Sequence, residues 1–220
     1  MMFTSRVVAL GMVAVLAAAS PAFAGPPLLC HPFEIGSARS LPWDGSNAWW
    51  QGRQGYNLQN LVTDTEALLT PATPLIVRME TLRRAALYAS LDPAAAARLL
   101  AAVTARAHAA ESPGAAPAAT VNALFDAGYL TETYKQIAML GGESQFRERA
   151  RTIASVLGKA DGRPMLNRAL TLRPDDASLQ FAAALVASTG NRSAYQGHAE
   201  KARKGAAQDT LLARNIDKLS

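Results

Sequence analysis

Proline and glycine punctuate this chain at intervals of about one short helix, and the stretches between them carry apolar residues three and four apart. That spacing is the helical period. Alanine dominates, aromatics are few, and alternating β-branched runs are nearly absent, so the composition favours helix over strand. Thr73-Pro74 opens one predicted helix, with Leu75, Met79, Leu82 and Ala86 on one face. Asp92-Pro93 opens another, with Ala96, Leu99, Leu100 and Val103 inward. Each pair puts a capping oxygen before a proline in the first turn.

Further helices follow by the same reasoning. One carries Val121, Leu124 and Phe125 and stops near Gly128. A second, capped by Thr131, carries Tyr134, Ile137 and Met139 as far as Gly141-Gly142. Ser144 begins a helix with Phe146, Ala150, Ile153 and Leu157 on one side, closed by Gly158. Pro164 starts the next, and Asp175 and Asp176 cap one bearing Leu179, Ala182, Ala183 and Val186. Residues 193–205 and 209–219 complete the series. Links of two to six residues between helices this short make neighbours antiparallel. The expected class is therefore all-α, a stack of antiparallel helical hairpins over 57–220.

The start of the chain reads differently. Arg6, an apolar run from Val7 to Ala19, and Ala22-Phe23-Ala24 have the order of a cleavable secretory signal over 1–24, with cleavage after Ala24. The run is shorter than the ~20 residues that cross a bilayer, which argues against a retained anchor. Export to a bacterial periplasm or beyond is the expected localisation, with no later transmembrane segment. Removing Arg6 lowers the formal charge from +5 to +4, 21 basic against 17 acidic residues. The excess lies late: 142–220 holds 13 basic and 8 acidic residues, against 8 and 9 in 25–141. Such a half could attract anionic lipid, cell-wall polymer or acidic protein, but interspersed Glu and Asp also suit an ordinary solvated surface. Export and the lack of any nucleic-acid module argue against nucleic acid as a partner.

Residues 25–56 hold Pro26, Pro27, Pro32, Pro42 and five glycines, and read as an extended arm leading into the helical body. Its apolar load exceeds that of a tether, so residues 28–50 are expected to fold back on the first helices, burying Phe33, Ile35, Trp43 and at least one of Trp49 and Trp50. Trp43, Trp49, Trp50 and Tyr56 are the candidate ligand-binding residues, since aromatic platforms grip peptides or sugars. The competing expectation is that they plug the open N-terminal end of a helical stack.

The only cysteine, Cys30, rules out an intramolecular disulfide. Beside His31 it forms a candidate metal- or thiol-handling pair, weighed against a cysteine simply buried on the helices or one carrying a lipid. Neither haem nor zinc spacing accompanies the pair. Glu80 with Arg83 and Arg84, and Glu200 with Lys204, read as surface ion pairs. No Gly-x-Ser-x-Gly, His-Glu-x-x-His or phosphate loop is present, so neither an enzyme nor a cofactor is expected.

The phrase Ala169-Leu170-Thr171-Leu172-Arg173-Pro174-Asp175-Asp176-Ala177 resembles the junction between two tetratricopeptide repeats. Counting back gives a unit Glu143–Asp176 of 34 residues, with Phe146, Ala150 and Ala169 at its large and small positions. A second unit runs from Ala177 to Thr210 with one inserted residue near Gly190, placing Ala184, Ala199 and Ala202 at small positions. There Gln180, with Phe181 beside it, stands where a large aromatic belongs. The resemblance covers 143–210 and implies a short solenoid whose concave face binds a peptide or protein. The expected function is thus an exported binding or scaffold protein of the bacterial envelope, with action through Cys30 and His31 as the alternative.

Overall fold

The computed structural model describes residues 25–44, 48–112, 114 and 116–219; the expected signal peptide lies outside the described residues. Within them the chain is all-helical, with no strand. The helices are α1 (Leu61–Leu68), α2 (Leu75–Ala89), α3 (Pro93–Ala110), α4 (Pro117–Met139), α5 (Arg147–Leu157), α6 (Arg163–Leu172), α7 (Ala177–Ala187), α8 (Arg192–Gly205) and α9 (Thr210–Ala213), with short 3-10 turns at several junctions. No described helix is long and apolar enough to cross a membrane.

Local signals account for several boundaries. Asp92 and Asp176 accept hydrogen bonds from the first free amides of α3 and α7, and Asn191 and Asp209 do the same for α8 and α9. Gly158 ends α5 at φ +55°, where a side chain would strain the turn. Thr73 does not cap α2; its hydroxyl donates to Leu68 O and closes the α1–α2 turn instead.

Two expected helices are one. Gly128 stops nothing: α4 runs 23 residues through it, buried on every side from Val121 to Tyr134. Helical hydrogen bonds continue because burial outweighs glycine's ~1 kcal/mol propensity cost. The glycine is there for closeness. A Cβ on Gly128 would stand 2.8 Å from Gly162 O, and one on Gly162 would stand 2.1 Å from Gly128 O, so α4 and the start of α6 meet backbone to backbone.

α2, α3, α5 and α6 pack around α4. Arg78 of α2 meets Asp126, while Arg83 and Gln136 both reach the Leu28–Leu29 turn, so α2 and α4 run in the same direction. α3 runs against them, with Ala96 O beside the Tyr134 hydroxyl and Ala110 O beside Thr120. α5 and α6 both pack chiefly on α4, and α7 pairs with α8.

Among the described residues no helix begins before Leu58. The leading segment, 25–57, lies along α2, crosses to the C-terminal elements and returns. Leu28, Leu29, Phe33 and Leu41 are buried in the common core; Ile35, Trp43, Trp49, Trp50 and Tyr56 are half-buried against it. Each of the first four contributes ~1.5–3 kcal/mol of apolar burial. The segment does not plug one end of a stack, since Phe33 meets Phe181 of α7 edge-on at 6.1 Å and Glu34 exchanges two hydrogen bonds with Asn215. It ties the first helices to the last.

Turns within the segment pair some of its backbone groups, among them the Leu29 and Cys30 amides with Pro26 O and the Ala38 amide with Ile35 O. Its other buried amides and carbonyls must find partners outside it. Side chains of the helices supply them. The Phe33 amide donates to Glu80 and the Leu28 amide to Gln136. Arg83 donates to Leu29 O and Trp49 O, and Arg84 to Leu41 O. Tyr88 donates to Pro42 O and accepts from the Arg53 amide. This overturns the surface reading of Glu80, Arg83 and Arg84: the Glu80 and Arg83 side chains are 0% exposed, and Arg84 only 19%. The polar stripe of α2 faces the leading segment, not water.

Candidate functional site

The four aromatic candidates do not form one platform. Trp49 and Trp50 close on Phe146, with ring centroids 5.2 Å away in each case, and hold the leading segment against the start of α5. Trp43 stands edge-on to Tyr88 at 5.6 Å, with the guanidinium of Arg83 5.1 Å above its ring. Tyr56 lies against Tyr88, ring centroids 4.3 Å apart. Of the four, Tyr56 lines an open cleft.

That cleft has a volume of 570 Å³ and lies between residues 51–58 and the ends of α2 and α5. Its apolar wall is Tyr56, Leu58, Tyr88 and Leu91, the last 54% exposed. Asp44, Arg53 and Arg149 supply charge around it. The wall is rigid for identifiable reasons. The Tyr56 hydroxyl donates to Asp64 at 2.7 Å, and the Tyr88 hydroxyl is held on both sides by the segment backbone. Burial, then the Asp64 hydrogen bond, push the Tyr56 phenol above its ordinary range. Arg149 donates to Leu87 O and Ser90 Oγ, which closes the C-terminal end of α2 beneath the cleft. The cleft thus offers an apolar, aromatic surface with a few fixed polar groups.

Cys30 and His31 are placed differently. Cys30 is half-buried, while His31 is exposed. Burial, with the nearby Glu143 charge, pushes the thiol up to about 11, so little thiolate is present at neutral pH. No third His, Cys, Asp or Glu joins the pair in a metal-sized cluster among the described residues.

A second cleft, absent from the sequence expectations, opens at the other end of α2. It has a volume of 560 Å³ and lies between the α1–α2 turn, α3 and α4. Asp126 stands beside it, fully buried, with Oδ2 shared between Arg78 Nη1 at 2.6 Å and Arg106 Nη2 at 2.5 Å. Its Oδ1 has no protein partner among the described residues. Burial pushes this carboxyl up to about 6 against the pull of both guanidiniums. The signal in the sequence is Asp126 itself, a lone charge in Ala-Leu-Phe-Asp-Ala-Gly-Tyr-Leu. A charge in so apolar a helix has to be paired.

No family model, no curated protein and no solved structure matches this chain.

Proposed function

We propose that the chain is an exported binding or scaffold protein of the bacterial envelope, and that its ligand is a peptide segment of another protein held in the Tyr56–Tyr88–Leu91 cleft. The observation that carries this reading is the cleft's wall: two locked tyrosine rings beside a leucine left 54% exposed. Rigid aromatic area of this kind anchors peptide side chains at little entropic cost. The tetratricopeptide-like phrases of 143–210 support the same class, and the Arg6–Ala24 pattern supports export. In this reading α7 and α8 form a helical hairpin, and the leading segment is the arm that carries Tyr56 to the cleft.

The test places a photo-crosslinking residue at position 91, and in parallel at Met139, which is 71% exposed and outside the cleft lining. Crosslinking of envelope proteins from position 91, lost in Tyr56→Ala and absent from position 139, is the expected result. Equal crosslinking from both positions would refute the site.

A further inference from the structure

The 560 Å³ cleft at the other end of α2 carries unbalanced charge. Arg78 and Arg106 both line it, and one carboxylate, Asp126, serves them both through a single oxygen. The two guanidiniums are not equivalent. Arg78 is committed: Nη1 bonds Asp126, Nε donates to Thr73 O at 3.0 Å, and Nη2 donates to Thr70 O. Arg106 makes one hydrogen bond among the described residues, from Nη2 to Asp126, and its side chain is 30% exposed. Nη2 carries a second N–H, so one of the guanidinium's two forked edges, each of which includes Nη2, is left over on a group oriented by a buried carboxylate and bordering the cleft.

The rest of the lining says what such a donor pair would hold. Leu69, Pro71, Ala110, Ala119 and Ala123 give apolar walls around the guanidinium. Asn122 donates to Pro71 O at 3.3 Å and so steadies the loop that closes one side. Glu66 is the one carboxylate in the lining; it is exposed, where water and salt screen it. A guanidinium fork matches a planar carboxylate through two parallel hydrogen bonds, and such charge-assisted pairs are roughly twice as strong as neutral ones. Apolar walls add affinity only for an anion with a carbon body. The volume falls within the range of small-molecule sites.

We propose that this cleft binds a small organic carboxylate with a short apolar body, its carboxylate on the free edge of Arg106 and its carbon chain against Leu69, Pro71 and Ala123. Binding supplies the negative charge that the Arg78–Asp126–Arg106 group lacks and joins α3, α4 and the α1–α2 turn through one ligand. The site is separate from the Tyr56 cleft, since the two open at opposite ends of the 15-residue α2.

The experiment is calorimetric titration of the full mature chain with butanoate, with butylammonium and inorganic phosphate as comparison probes. Butanoate is expected to bind, butylammonium not at all, and phosphate more weakly because it makes no use of the walls. Arg106→Gln should weaken butanoate on the order of tenfold or more. Since Arg106→Gln disturbs a buried carboxylate, Ala119→Leu serves as the second variant: it fills the cleft from a half-buried position without touching any charge, and should also abolish binding. Glu66→Gln should leave binding equal or tighter, and Tyr56→Ala should leave it unchanged whether or not a peptide binds the other cleft. No heat with butanoate at millimolar concentration, or binding that survives both Arg106→Gln and Ala119→Leu in folded protein, would overturn the proposal. Equal affinity for phosphate and butanoate would also overturn it, reducing the site to a non-selective positive charge.

Discussion

Glu80 and Arg83 provide the sharpest test of why buried charge lies on α2. Glu80 accepts four hydrogen bonds: from Arg83 at 2.8 and 2.9 Å, from Arg84 at 2.6 Å and from the Phe33 amide at 3.0 Å. Glu80→Leu strands the Arg83 guanidinium, at a cost of ~3–5 kcal/mol. It also orphans the Phe33 amide, adding ~1–3 kcal/mol. Against a typical total of ~5–15 kcal/mol, this variant lies close to unfolding and is best measured with a stabilising osmolyte present. Arg83→Met added to it removes the stranded charge. If the pair were only an ion pair, the apolar double variant would regain parental stability, as replaced buried ion pairs often do. The structure argues otherwise, because Arg83 also serves Leu29 O and Trp49 O. The double variant therefore still leaves three backbone groups unpaired, for a residual loss of ~3 kcal/mol or more. Urea unfolding followed by tryptophan emission measures the cycle, and amide exchange over 25–57 locates the loss. A double variant as stable as the parent, with unchanged exchange, would refute the role of Arg83 as a fastener of the segment.

Gly162→Ala should destabilise by ~1–3 kcal/mol in thermal unfolding, because its methyl group would press on the backbone of α4 at Gly128. Cys30 should react with a disulfide reagent at pH 8 far more slowly in the folded protein than in urea, since its thiol is pushed up to about 11; equal rates would contradict the burial. Two of the buried carboxyls, Asp126 and Glu80, should give opposite pH slopes. Asp126, raised from 3.8 to about 6, binds its proton more tightly when folded, so its contribution to stability grows as pH falls from about 6 towards 3.8 and Asp126→Asn should flatten that limb. Burial alone would raise Glu80, but Arg83, Arg84 and the Phe33 amide outweigh it and hold the carboxyl below its ordinary 4.5; its contribution is present above that value and lost as pH falls below it, and Glu80→Gln should flatten this second limb.

What could be read from the residues alone was what acts locally. Asp92, Asp176 and Gly158 mark helix ends by interactions with their own neighbours, and each is found doing so. Gly128 misled because the same residue type ends helices and permits close crossings; only the approach of Gly162, 34 positions on, distinguishes the two. The Tyr56 cleft was legible in part, through its aromatic, while Tyr88, Leu91 and Arg149 reach it from elements whose meeting leaves no pattern in the chain. Arg106 was invisible for the same reason, although Asp126 in its apolar setting demanded some cation.

The largest misreading, of α2, has a more general cause. An amphipathic helix is recognised by an apolar stripe facing the core and a polar stripe facing water. That test assumes that polar residues seek solvent. On α2 they meet another need: Glu80, Thr81, Arg83, Arg84 and Tyr88 bond the leading segment, four of them directly to its backbone. A segment rich in proline and glycine cannot satisfy its own carbonyls by helix or ladder, so its burial requires donors on whatever it lies against. The apolar residues of 25–57 and the charges of α2 are thus two halves of one interaction. Leu28, Phe33 and Leu41 supply the gain on burial, and Glu80, Arg83 and Arg84 remove the penalty of burying the backbone between them. A buried Pro/Gly-rich segment beside a helix with charges at i, i+3 and i+4 is therefore a pattern to be read jointly. Read separately, the first resembles a tether and the second a surface.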